Sequence, residues 1–227
     1  MKYEIIIFDA DETLFDFKKS EKYAFENSIL DFNIEYDENY HLRIYQEIND
    51  AIWRDFENGL ITQEKLKVER FRRLSDKLNI EFDPNKFAKT YMSHLANASF
   101  LYEDSESLIE DLYKNHKLII ITNGLKDVQN NRIKKSIIGK YFDNITISEE
   151  AKVSKPNPKI FEIALEHIDY TDKSKILMVG DSLTSDIKGG INFEIDTCWF
   201  NYKKSLNKTD IKPTYEISNL LDLKGIL

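Results

Sequence analysis

Two carboxylates close an apolar run near the start of the chain, where Ile5-Ile6-Ile7-Phe8 leads directly into Asp9-Ala10-Asp11-Glu12-Thr13. Four large apolar residues in succession predict a buried strand, and acids at its carboxyl end fall where open α/β sheets bind ligands. Acids this close repel each other. Such a pair is usually held by a metal, or by a division of labour in which one carboxyl stays protonated. An Asp-x-Asp also serves as a helix cap or a turn, so its meaning depends on what accompanies it.

Three later segments accompany it. Lys117-Leu118-Ile119-Ile120-Ile121 predicts a second strand that ends in Thr122, Asn123 and Gly124, a hydroxyl, an amide and a glycine able to bring donors close to an oxyanion. The plain alternative for Thr122 is a helix N-cap. In Ser154-Lys155-Pro156-Asn157-Pro158 a lysine is followed by two prolines that stiffen the chain, with Pro158 fitting the first turn of a helix beginning near Ile160. Ile176-Leu177-Met178-Val179 predicts a further strand, ending in Gly180-Asp181 with Asp186 five residues on. The charge problem of Asp9 and Asp11 is thus repeated. If Asp9, Asp11, Asp181 and Asp186 converge, a divalent metal and Lys155 leave one negative charge over, and one carboxyl does best protonated.

In this order the segments (Asp-x-Asp-x-Thr, strand-end Thr, Lys-Pro, Gly-Asp-x4-Asp) resemble the four motifs of the haloacid dehalogenase superfamily, most of whose members are phosphatases. The likeness runs from Tyr3 to about Asn201. It implies an α/β, Rossmann-like parallel-sheet core with an inserted helical cap. It also implies Mg2+-dependent phosphomonoester hydrolysis in which Asp9 is the nucleophile and forms an aspartyl phosphate, and Asp11 is the general acid and base. By the same resemblance the metal ligands are the Asp9 carboxylate, the Asp11 backbone carbonyl and the Asp181 carboxylate. Thr122, Asn123 and Lys155 hold the phosphoryl oxygens, and Asp186 is an outer acid that positions Lys155 or a metal-bound water. All these ligands are hard oxygens, which suit Mg2+.

Finer features are similar to the bacterial pyrimidine 5′-nucleotidases of this superfamily: Ala10 between the acids, the stretch from Asp55 through Asn58 to Thr62, Ile147-Ser148-Glu149-Glu150 before the lysine, and Thr197-Cys198-Trp199-Phe200-Asn201. This likeness implies a small-molecule phosphoester substrate, a nucleoside monophosphate such as UMP, dUMP or dTMP. Sugar-phosphate phosphatases and phosphomutases of the same superfamily are the nearest alternative. A two-component phospho-receiver shares the acids, Thr and Lys, but has no room for an insert of some eighty residues after its first strand. Dehalogenases of the superfamily lack the second acid and the metal set.

The elements that must position these residues are legible in outline. From Asp16 to Ser99 the chain reads as helix: Tyr40, Ile44, Ile48, Ile52 and Phe56 are spaced four apart, and Thr62 is an expected N-cap for a helix carrying Leu66, Phe71, Leu74 and Leu78. Thereafter strands and helices alternate, with strands expected at Lys117 to Ile121, Asn144 to Ile147, Ile176 to Val179 and Thr197 to Phe200. That alternation predicts a parallel sheet covered on both faces. The expected division is residues 1–15 and 100–227 as catalytic core, and 16–99 as helical cap. Tyr45, Trp53 and Phe56, with Phe15 and Phe17 at the crossing, could stack on a base, although aromatics at helical spacing usually form bundle core.

Composition excludes other classes. The 227 residues carry 32 Lys and Arg against 40 Asp and Glu, a net charge of −8 that disfavours nucleic acid polymers and anionic membranes as partners. No apolar run reaches membrane-spanning length and no signal-peptide pattern opens the chain, so a cytoplasmic location is expected. Cys198 is the single cysteine, expected buried and uninvolved in catalysis. His41, His94, His116 and His167 have no zinc-ligand spacing, and neither a dinucleotide-binding nor a Gly-x4-Gly-Lys loop is present.

Overall fold

The computed structural model describes residues 2–57, 59–166, 168 and 170–227, except the side chain of Glu57. Asn58 and His167, named above, lie outside the described residues.

The chain divides into two compact units: the segment up to Lys18 with Ser99–Leu227, and Lys19–Ala98. The first is built on a six-stranded, wholly parallel sheet of β1 (Ile5–Phe8), β2 (Lys117–Thr122), β3 (Asn144–Ile147), β4 (Ile176–Gly180), β5 (Asp196–Phe200) and β6 (Tyr215–Ile217). The helices of this unit are α5 (Ser105–Leu112), α6 (Lys126–Arg132), α7 (Ser148–Ala151), α8 (Lys159–Glu166) and α9 (Lys188–Asn192). Strands in the middle of such a sheet bury both faces and so read as unbroken apolar runs. Alternate residues face opposite ways. Ile6, Phe8, Leu118, Ile120, Leu177 and Val179 enter one core, while Ile5, Ile7, Ile119, Ile121, Ile176 and Met178 enter the other.

The strand order β3-β2-β1-β4-β5-β6 is that of a doubly wound, Rossmann-like sheet. β1 is central, with Phe8 level with Ile120 on one side and Val179 on the other. Chain direction across the sheet reverses between β1 and β4, and in such folds ligands bind outside the carboxyl ends of the strands at this crevice. The ends of β1, β2 and β4 therefore bring Asp9, Thr122 and Gly180 into one neighbourhood. Beyond β1, Asp16 N–H donates to Phe100 O (3.0 Å) and Tyr102 N–H to Leu14 O (3.1 Å), so the two segments flanking the helical insert lie side by side.

The second unit contains most of α1 (Phe17–Asp31), with α2 (Arg43–Glu57), α3 (Gln63–Leu78) and α4 (Pro84–Asn97). Thr62 caps α3, its hydroxyl accepting from Lys65 N–H, and Asp83 caps α4 ahead of Pro84. An aromatic cluster fills the interior: Tyr45 stacks on Phe25 (4.5 Å between centroids) and on Phe71 (5.7 Å), and Phe71 meets Phe87 (5.0 Å) and Tyr91 (5.1 Å). A polar chain is buried with it. Arg70 donates to Asn49 Oδ1 (2.9 Å) and Asn49 to Glu21 Oε1 (2.9 Å), while burial pushes the Glu21 carboxyl up to about 6.

Two expectations are corrected. Tyr40 is 46% exposed and lies in a π-helical turn, Glu38–Leu42, before α2. Spacing of exactly four drifts by about 40° a step on a helix of 3.6 residues per turn; Ile44 and Ile52 of the expected set are buried, and Leu42, Tyr45 and Asn49 complete the buried face. A sixth strand, β6, joins the edge. The compact units divide at Lys18/Lys19 and Ala98/Ser99. Cys198 is buried in β5, and burial pushes its thiol up to about 12. Among the described residues no helix is long and apolar enough to cross a membrane.

Candidate active site

Every candidate residue lies in the sheet unit. Asp9 follows the last residue of β1 and is held by its N–H donating to Val179 O of β4 (2.9 Å). Asp181 follows β4, its peptide carbonyl accepting from the Trp199 indole (2.8 Å). Asp186 returns to this point because Ser182 caps the turn Leu183–Ile187, and Ser182 N–H donates to Asp186 Oδ2 (2.9 Å). Gly180 makes that return possible: a Cβ there would come within 2.5 Å of Asp186 Cγ. One carboxylate oxygen each of Asp9, Asp181 and Asp186 lies within 4.8 Å of the others.

Lys155 is buried among them, its Nζ reaching Asp9 Oδ1 (2.5 Å), Asp186 Oδ1 (2.7 Å) and Ile121 O (2.6 Å). An ammonium has three donors, and these three oxygens take them. Burial pulls the ammonium down, but Asp186 and Asp9 outweigh it and hold Lys155 above its ordinary value. Burial pushes Asp9 up to about 7 against the pull of Lys155. Asp181, pushed by burial and by its neighbours Asp186 and Asp9, rises to about 8.

Asn123 was expected among the phosphoryl ligands, but its side chain is committed elsewhere. Its Oδ1 accepts from Lys155 N–H (2.8 Å), and its Nδ2 donates to Lys155 O (2.9 Å) and Ser185 Oγ (3.2 Å). The amide clasps the lysine's own peptide groups, so any phosphoryl contact falls to the Asn123 backbone.

Asp11 is a half-step away from this cluster, and two residues the sequence reading missed surround it. The Arg132 guanidinium is wholly buried, pairs with Asp11, and lies over the rings of Phe15 (5.3 Å) and Phe17 (5.5 Å). Burial lowers Arg132 to about 9, still charged at neutral pH. Gln129 Nε2 donates to Asp11 Oδ2 (2.8 Å) and to Thr122 Oγ1 (2.9 Å). The charge count changes with this arginine. Four acids are balanced by a divalent metal, Lys155 and Arg132, so the one protonated carboxyl expected from excess charge is not required before substrate arrives.

The donor set fits a divalent cation: three hard carboxylates converge, and two of them are pushed far above the ordinary carboxylate range with only one ammonium to offset them. Phe15 and Tyr45 are fully buried, which fits packing and not a base-stacking surface.

The model of the haloacid dehalogenase-like hydrolases matches residues 3–194. The chain is 37% identical to pyrimidine 5′-nucleotidase YjjG of Escherichia coli, covering 100% of this chain and 99% of that protein. It is 34% identical to pyrimidine 5′-nucleotidase PynA of Streptococcus pneumoniae, covering 100% and 96%. Its fold is similar to that of HAD-hydrolase YfnB from Bacillus subtilis, solved bound to magnesium, with a TM-score of 0.94, 33% identity and coverage of 100% and 99%.

Proposed function

Because the chain belongs to the haloacid dehalogenase-like hydrolases, we propose that it is a Mg2+-dependent phosphomonoesterase working through an aspartyl phosphate, with pyrimidine nucleoside monophosphates as substrates. The observation that carries the chemistry is the buried Lys155 set between Asp9 and Asp186 with Asp181 alongside, at the carboxyl ends of β1 and β4. An anion-binding site on an acidic protein needs such local positive charge. The substrate class is supported by likeness along the whole chain to two proteins named as pyrimidine 5′-nucleotidases, and the choice of metal by the magnesium bound to YfnB.

In this reading Asp9, Asp181 and the Asp11 carbonyl hold the cation, which when bound neutralises charge on the carboxylates and on the transferring phosphoryl group. The Asp9 carboxylate attacks phosphorus in line, forming a P–O bond as the ester P–O bond breaks. Asp11 gives its proton to the departing alcohol, a contribution of about 10²- to 10⁴-fold for a well-placed general acid. Incoming phosphate brings the negative charge that favours that proton on Asp11 despite Arg132. Water then attacks the phosphoryl group of Asp9, its proton returning to Asp11, and phosphate leaves. Lys155 and the Thr122 hydroxyl stabilise the transferring oxygens. Asp186 acts through Lys155, and Asn123 fixes the lysine's backbone. The helical unit, in this proposal, is the cap that selects among leaving groups.

Phosphate release from a panel of nucleoside 5′-monophosphates and sugar phosphates, with Mg2+ and with chelator, tests it. Metal-dependent release favouring UMP, dUMP or dTMP is expected. Release mainly from sugar phosphates would move the assignment to a sugar phosphatase, and no release from any would refute the phosphomonoesterase.

A further inference from the structure

Gln129 and Arg132 lie in α6, in a stretch (Lys126-Asp127-Val128-Gln129-Asn130-Asn131-Arg132) whose polarity suggests a solvated helix, yet both side chains are buried. Burying an amide and a guanidinium is costly unless each polar atom has a partner. Arg132 Nη1 has no hydrogen-bond partner among the described residues, and the remaining donors of the two side chains go to each other and to site residues. Arg132 Nε (3.3 Å) and an amino nitrogen (3.1 Å) both donate to Gln129 Oε1. A guanidinium has no acceptor, so this contact fixes which end of the Gln129 amide is oxygen and turns Nε2 the other way. The two Nε2 protons then go to Asp11 Oδ2 (2.8 Å) and Thr122 Oγ1 (2.9 Å). Because the Thr122 oxygen accepts from Gln129, the hydroxyl proton is turned away from Gln129 and left for another acceptor.

Gly124 belongs to the same arrangement. Its φ is not positive, so a left-handed backbone is not the reason for a glycine. Space is the reason: a Cβ would come within 2.5 Å of Gln129 Cγ. The strand-end Thr-Asn-Gly is therefore shaped to admit a glutamine from the next helix.

We infer that Gln129, locked by Arg132 and admitted by Gly124, is a positioning residue that orients both the Asp11 carboxylate and the Thr122 hydroxyl toward the transferring phosphoryl group. The inference rests on the phosphomonoesterase reading for its chemistry, and on the hydrogen bonds alone for its geometry. Positioning of this kind acts on the reaction more than on substrate binding. Its loss is felt most where the leaving alcohol needs a proton.

The test compares Gln129→Met and Gly124→Ala with the unaltered full-length protein, in Mg2+, on a nucleoside monophosphate and on p-nitrophenyl phosphate, whose phenolate leaves without protonation. Circular dichroism first establishes that the variants are folded. In both, kcat/KM for the nucleotide is expected to fall by about 10- to 100-fold, the usual cost of removing a supporting hydrogen bond behind a catalytic group, with a several-fold smaller fall for the aryl ester and little change in KM. Equal losses on the two substrates, or none, would overturn the inference. Should the unaltered protein release phosphate from neither, that failure belongs to the function and not to the positioning. The crystal structure of Gln129→Met decides the latter independently: Asp11 or Thr122 turned from its present rotamer supports it, and both unmoved overturns it.

Discussion

Replacing Lys155 with methionine keeps the length of the stem and removes the charge from the centre of the site. In the metal-free protein it leaves Asp9, Asp181 and Asp186 clustered with no ammonium among them, and strips Ile121 O of its donor. Removing one partner of a buried ion pair costs about 3–5 kcal/mol, because the remaining charge is neither solvated nor matched. For a chain of 227 residues each kcal/mol corresponds to about 2–4 °C in Tm, so the midpoint of the sheet unit should fall by about 6–20 °C. The loss must depend on pH. At pH 8 the charged carboxylates have lost their nearest counter-ion, whereas at pH 5.5 they take up protons and need it less. The penalty of Lys155→Met should therefore be largest at pH 8 and shrink on acidification. Thermal denaturation in chelator at the two pH values, read from Trp199 in a Trp53→Phe background, measures it. A loss of the same size at both, or below about 1 kcal/mol at pH 8, would refute the account of Lys155 as counter-charge to a buried acid cluster.

Three further outcomes are expected. Burial and neighbouring acids push Asp9 up to about 7 and Asp181 up to about 8, above their unfolded values, so their contribution to stability is present at low pH and lost as pH rises through that range. Because a cation binds the deprotonated acids, the Tm increment given by Mg2+ over chelator should grow between pH 6 and pH 8.5; an increment that is flat or falls would contradict this. Gly180→Ala forces its Cβ against Asp186 and should cost about 1–3 kcal/mol by overpacking while lowering kcat severalfold, measured by urea denaturation and phosphate release. The Cys198 thiol, buried and pushed up to about 12, should resist an aromatic disulfide reagent in the native protein and react at once in urea; rapid native labelling would show that β5 is open to solvent.

The parts of this molecule that could be read from its residues are those whose environment is uniform along the chain. β1, β2 and β4 are buried on both faces, so four or five consecutive positions obey one rule and each strand is visible as a run of large apolar residues. β6 has three residues, of which Tyr215 and Glu216 remain partly or largely exposed, and so carries no such pattern. The acids and the lysine were legible because charge at the end of an apolar strand is anomalous. Gln129 and Arg132 were not, because a glutamine and an arginine in a polar helix are unremarkable until the fold sets Phe15 and Phe17 over the guanidinium. At Asn123 the strand end offers both side-chain and backbone donors, and only the fold shows the side chain bonded to the Lys155 peptide groups. Tyr40 lies outside the expected face because the chain there forms a π-helical turn ahead of α2 and not its first turn.

The central claim is that Asp9 is the group that attacks phosphorus, and the most direct test is phosphate release by Asp9→Asn in saturating Mg2+, with folding verified by circular dichroism. An amide of nearly the same shape is a poor nucleophile, so the account predicts a folded protein with no turnover above background on any phosphomonoester that the unaltered protein hydrolyses. Release at the unaltered rate from folded Asp9→Asn would contradict it and remove the covalent mechanism.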